Sequence, residues 1–219
     1  MGARVSSAAE TTGESGAPRG PMRADAIVDA LWLVTLQAVC GRAAHEVRGS
    51  LNAVAVNLEV VRSRSERPDA PASAVAPYTS VAAIQLEDVI AMTEAIMALV
   101  RPGRGPVDLA METSRVVTLL APAARAAGRT IELDRDLGGL GTTSASSSSV
   151  RLAIGHCLLA LTDASTRARH GSRDAARPQV RLEHDGAAVA IDSAVIEALA
   201  NAGIEVQVEP TAVAITFPQ

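Results

Sequence analysis

Three neighbouring side chains have the types and spacing for phosphoryl chemistry: His45, Glu46 and Arg48, within the run HEVRGSLN at 45–52. Imidazole is a nucleophile near neutral pH, and the planar guanidinium of arginine binds phosphate well. A lone histidine on a helix is an ordinary surface residue, so the reading depends on what surrounds it. On a helix, at about 100° per residue, His45 shares a face with Gly41, Arg48, Gly49, Asn52 and Val56. That face is small and polar apart from one valine, and it is open to a partner. Glu46 adds a carboxylate beside the imidazole, so histidine, acid and arginine are expected together on one exposed helical face.

The element that must carry this face is a long helix. Val47, Leu51, Val54, Leu58 and Val61 recur at alternating steps of four and three, an apolar stripe that leaves His45 to one side. Ile27, Leu31, Val34, Ala38, Cys40 and Ala44 continue the pattern backwards, so the helix is expected over residues 24–64. A helix that long cannot be stable alone. Residues 65–78 hold three prolines and break the chain, and a second helix follows over 79–100, with Leu86, Val89, Ile90, Thr93, Ile96, Met97 and Val100 on one face. Two such helices form an antiparallel hairpin with more apolar surface than two helices can bury. Dimerisation into a four-helix bundle is the natural solution; packing against the rest of the same chain is the alternative.

Composition narrows the classes. The chain has 219 residues and a formal net charge of −4, which gives no electrostatic reason to expect nucleic acid as a partner. It has one Trp, one Tyr and one Phe, too few rings for a base-stacking platform, so the core must be aliphatic. Cys40 and Cys157 lie far apart in apolar helical contexts and are expected to be reduced core residues. No apolar run is read as a membrane span and no signal-peptide core is seen, so a soluble, cytoplasmic protein without membrane contact is expected. Residues 1–23, rich in Gly, Ser, Ala, Thr and Pro, are expected to be a disordered extension.

RPGRGP at 101–106 marks a domain boundary, dividing a hairpin domain at 24–101 from a second domain at 107–219. The second domain opens with an extended start, a helix from Leu109 to Ala127, and a strand at 130–133. A Gly and Ser tract leads into a helix over 150–166. The tract lacks the G-x-x-x-x-G-K-[ST] and G-x-G-x-x-G patterns, so it reads as a loop and helix cap. Residues 167–178 read as a polar loop containing His170. Strands at 180–184 and 187–192 are expected to turn at Asp185-Gly186, followed by a helix at 194–202 and two closing strands. The whole is α+β: a helical hairpin, then a mixed sheet with helices on one face. Metal ligation by His156, Cys157 and Asp163 is conceivable, with a helical core the better account.

HEVRGSLN resembles the H-box of sensor histidine kinases, H-E-x-R-x-P-L-N, in their dimerisation and histidine-phosphotransfer domain. His45, Glu46, Arg48, Leu51 and Asn52 match, while Ser50 replaces the proline that kinks the family's helix, which implies a straighter helix here. Residues 107–219 resemble that family's ATP-binding domain in the order of their elements. In that alignment His156 and Ala160 stand where magnesium-holding asparagines belong, and AIDSAVIEAL stands in place of the D-x-G-x-G loop, with Asp192 against its aspartate. The resemblance therefore implies a degenerate domain that neither binds ATP nor acts as an ATP-dependent kinase.

An intact phosphoacceptor hairpin joined to such a domain resembles dimeric histidine phosphotransferases of the ChpT type. The implied function is a relay of a phosphoryl group between response-regulator aspartates through His45, in a two-component phosphorelay. Arg48 would balance charge on the phosphohistidine, and Glu46 would orient. Gly41, Gly49, Asn52 and Val56 would meet the partner. The implied partners are receiver domains, an upstream hybrid histidine kinase and a second copy of the chain. The chain itself would need no cofactor, since the receiver supplies Mg2+. One alternative is a non-catalytic, pseudokinase-like dimer that sequesters a regulator or kinase, which would have no need of His45. Another is a receiver phosphatase, which would use a Thr or Asn where this chain has Gly49.

Overall fold

The computed structural model describes residues 21–67, 71–103, 105–171, 176–186 and 189–219, with side chains from Ala24 onward. Residues 1–20 of the expected extension lie outside the described residues. Helix α1 spans Pro21–Ser65 and α2 spans Ala76–Val100. A short strand β1 (Val107–Asp108) leads into α3 (Leu109–Ala126), β2 (Ile131–Leu133), β3 (Thr142–Thr143) and α4 (Ser147–Ala160). β4 (Thr166–His170), β5 (Gln179–His184), α5 (Ser193–Asn201), β6 (Glu205–Glu209) and β7 (Ala212–Thr216) complete the chain. The fold is α+β, a helical hairpin followed by a five-stranded mixed sheet with strand order β2-β4-β5-β7-β6. Among the described residues, only the β2–β4 pair of this sheet is parallel.

Local chemistry sets the helix starts. The Asp108 carboxylate accepts from the Met111 amide at 2.9 Å to cap α3, and the Ser146 hydroxyl accepts from the Ser149 amide at 3.1 Å to cap α4. Asp192 caps α5 by accepting from the Ala194 amide at 2.9 Å. It is therefore a helix cap, and the strand expected at 187–192 does not form: 189–192 is irregular and 187–188 lies outside the described residues. The loop expected at 167–178 is also corrected, because 166–170 is strand β4. Its Thr166 and Ala168 point inward, while Arg167 and Arg169 pair with Glu132 and Glu183 on the outer face.

One hydrophobic core runs through the hairpin and the sheet unit, joining Val28, Trp32, Val39, Ala43, Met92 and Leu99 to Leu119, Ile154, Leu182 and Phe217. The first half of α1 lies across α4. A Cβ on Gly155 would meet Thr35 Cγ2 at 3.3 Å and the Trp32 ring at 3.4 Å, so glycine permits the close crossing. Contrary to the sequence expectation, α1 is long and apolar enough to cross a membrane by length and composition alone. Its buried residues Val28, Trp32, Thr35, Val39 and Ala43 are accounted for by packing within the chain. Beyond Ala43 the hairpin thins: among the described residues from 44 to 91, only Ala82 is buried.

Candidate functional site

Near His45, α1 presents faces in three directions. Val39, Ala43, Glu46, Ser50, Ala53, Asn57, Val60 and Arg64 follow steps of four and three, are buried or half-buried, and match the spacing of Ala82, Gln85, Val89, Met92, Ile96 and Leu99 on α2. This is the seam inside the hairpin. About 100° round the helix lies the stripe Val47, Leu51, Val54, Leu58 and Val61. Within the chain this stripe is only partly covered, with Val47, Val54 and Val61 half-buried. Leu51 is 46% and Leu58 52% exposed, and Leu86, Ile90, Met97 and Val100 of α2, again at four-three spacing with Thr93, are 46–59% exposed. The single face expected on α2 is thus two overlapping stripes, offset by one residue or about 100°, and that offset is the signal that separates them.

His45 lies on the third face, more than 100° from both stripes by helical rotation. Its neighbours Gly41, Arg48, Gly49, Asn52 and Val56 are all exposed, as His45 is. Among the described residues nothing lies within 4 Å of a Cβ built at Gly41 or Gly49, one turn to either side of the histidine. No packing among the described residues requires glycine there, although each glycine in a helix interior costs about 1 kcal/mol relative to alanine. Glu46 is placed differently from the expectation of one shared face. A single step of about 100° turns it into the half-buried seam toward α2, so histidine and arginine share the open face without it. In chemical terms the face offers an accessible imidazole, one guanidinium and bare backbone on both sides, enough for a nucleophile to reach an electrophile carried by another molecule.

The second unit holds the other groups the sequence singled out. His156 is half-buried on α4, and burial pushes its pKa below the ordinary histidine value, partly offset by Asp192. Cys157 is fully buried and its thiol is pushed up to about 12, so it is an inert core residue; Cys40 is half-buried, shifted the same way, and both are free. Among the described residues no three His, Cys, Asp or Glu side chains are grouped to hold a metal, so His156, Cys157 and Asp163 do not form a set. His170 lies on β4, where its Nδ1 meets the Gly171 carbonyl at 3.1 Å, and His184 is buried at the end of β5. α4 is enclosed: residues 149–155 are all buried. Sequence reasoning missed one buried polar cluster, Arg151 with Glu112, whose members are 39 residues apart and carry no local signal.

No protein-family model matches the chain, and no curated protein matches it in sequence. Among solved structures, the histidine kinase AdeS of Acinetobacter baumannii is similar over 80% of this chain and 97% of its own, with 11% identity and a TM-score of 0.37. The blue-light activated histidine kinase of Erythrobacter litoralis is similar over 82% of this chain, with 13% identity and a TM-score of 0.33, and this chain spans 59% of its length.

Proposed function

We propose that this protein is a histidine phosphotransfer protein of a two-component phosphorelay. It accepts a phosphoryl group on His45 from the aspartyl phosphate of one receiver domain and returns it to the aspartate of another. In the forward step a ring nitrogen of His45 attacks phosphorus, a P–N bond forms, and the acyl-phosphate P–O bond breaks with its electron pair leaving on the receiver carboxylate. The second transfer is the reverse, with a different carboxylate as nucleophile. Arg48, one turn along the same face, offsets charge on the phosphoryl group. Glu46, in the seam with α2, acts on the orientation of α1 more than on the proton of His45. Mg2+ arrives with the receiver, and the sheet unit serves as scaffold, with no nucleotide chemistry.

The observation that carries this reading is the bare, exposed face around His45, directed away from both apolar stripes. It is joined by the match of HEVRGSLN to the H-box. The exposed stripes on α1 and α2 support a homodimer: the distal hairpin, with one buried residue among those described over 44–91, has too little core to stand by itself, and a second copy covers the apolar surface. The test is to mix the protein with a receiver domain carrying radiolabelled aspartyl phosphate, in the absence of ATP. The expected result is an acid-labile, base-stable label on the wild type and none on His45→Ala. A label of equal strength on His45→Ala refutes the proposal.

A further inference from the structure

The segment joining hairpin to sheet unit has the composition of a hinge, with Pro102, Gly103, Gly105 and Pro106, and Gly105 has a positive φ of 80°. Its upstream end is nevertheless fastened. Arg151, on α4 and 5% exposed, spends its guanidinium on α2 and α3 together. Nη1 donates to the Leu99 carbonyl at 3.0 Å and the Arg101 carbonyl at 2.8 Å, and Nη2 donates to the Ala98 carbonyl at 3.3 Å. These are carbonyls that the last turn of α2 would otherwise leave without partners. On its other side Arg151 grips Glu112 of α3, with Nε donating to Oε2 and Nη2 to Oε1, both at 3.1 Å. Arg115 also donates to Glu112 Oε1 at 2.7 Å, which leaves the buried carboxylate fully engaged. The downstream part of the joint is close-packed too, since a Cβ on Gly103 would collide with the Ser147 hydroxyl at the start of α4.

We infer that Arg151 is the polar latch that closes this hinge, acting together with the core shared by α1, α2, α3 and α4, so that the hairpin bearing His45 and the sheet unit move as one rigid body. Swinging the sheet unit about residues 101–106 would strip three helix-end carbonyls and a buried carboxylate of their donors at once, which a low-dielectric site penalises heavily. Lysine cannot replace this latch, because an ammonium offers three donors from one point and cannot span a helix end and a carboxylate together. The inference does not depend on whether His45 carries phosphate.

The test is a distance distribution between spin labels at Ser63→Cys on α1 and Gln207→Cys on β6, in a Cys40→Ala background with Cys157 left buried. Labelled chain is diluted with unlabelled chain so that only intrachain distances are read. The latch predicts a single narrow distribution for the otherwise wild-type protein and one about twofold broader, or split, for Arg151→Met and Arg151→Lys. A broad or bimodal distribution with Arg151 intact overturns the rigid-body claim, even if neither variant folds. A distribution as narrow as wild type in whichever variant folds overturns the role of Arg151.

Discussion

Gly41 and Gly49 are predicted to separate stability from function. Both lie in the interior of α1, both are exposed, and neither has any described residue within 4 Å of the space a Cβ would fill. Alanine at each should therefore stabilise the helix by the propensity difference alone, about 1 kcal/mol per site. For a chain of this size that amounts to a rise in Tm of roughly 2–4 °C per site, or about 4–8 °C for the double variant, since the sites are two turns apart and independent. Leucine has nearly the helix propensity of alanine, so Gly49→Leu and Gly41→Leu should also raise Tm while raising a bulky wall one turn from His45. The assays are thermal unfolding by circular dichroism and the initial rate of phosphoryl transfer from a labelled receiver. The expected pattern is higher Tm in all variants, with transfer slowed at least about tenfold by leucine, equivalent to about 1.4 kcal/mol of lost transition-state access. Leucine variants that transfer at the wild-type rate would show that a bare backbone beside His45 has no functional purpose. A fall in Tm on alanine substitution would show instead that the glycines are packed against something, in the first instance a second copy.

Three further outcomes follow from the packing and the ionisable groups. Met97→Glu or Leu86→Glu, each placing a carboxylate in the exposed α2 stripe, should weaken the proposed dimer by more than about tenfold in Kd in light scattering, with the sheet unit still folded. Gly155→Val should cost about 1–3 kcal/mol in denaturant unfolding, because its methyl groups enter the space held by Thr35 and Trp32 at the α1–α4 crossing. The folded-state pKa of His156 is lowered by burial, so the unfolded chain takes up its proton first as pH falls. The stability this histidine contributes is present above its unfolded value near 6.5 and is lost below it. The Tm of wild type relative to His156→Gln should therefore decline as pH is lowered through and below that value, and a difference that grows instead would contradict the sign.

How much of this was legible in the sequence depended on whether the signal was local. The helices α1 and α3, the closing pair β6 and β7, and the hairpin itself follow from apolar spacing and caps within a few residues. Strand β4 did not, because its inward side chains, Thr166 and Ala168, are too small to register, while Arg167 and Arg169 dominate the pattern from the solvent side. The reverse error came from Asp185-Gly186, a strong hairpin dipeptide, after a strand that in fact pairs with β7 across a long connection. At the site, the face of His45 could be counted off at about 100° per residue, and every member lies exposed on α1. Glu46 was misread because adjacency in sequence was taken for a shared face. Arg151 and Glu112 were invisible because a buried ion pair between two helices, each otherwise apolar and periodic, leaves no mark in either.

The most direct test of the central claim is to locate the phosphoryl group itself. The wild-type protein, charged from a phosphorylated receiver and digested at neutral to alkaline pH, is analysed by mass spectrometry. The account predicts a phosphorylated peptide with the modification on His45, which disappears when unphosphorylated second receiver is added. Phosphate on another residue, or none on the chain while the receiver loses its own, would contradict it.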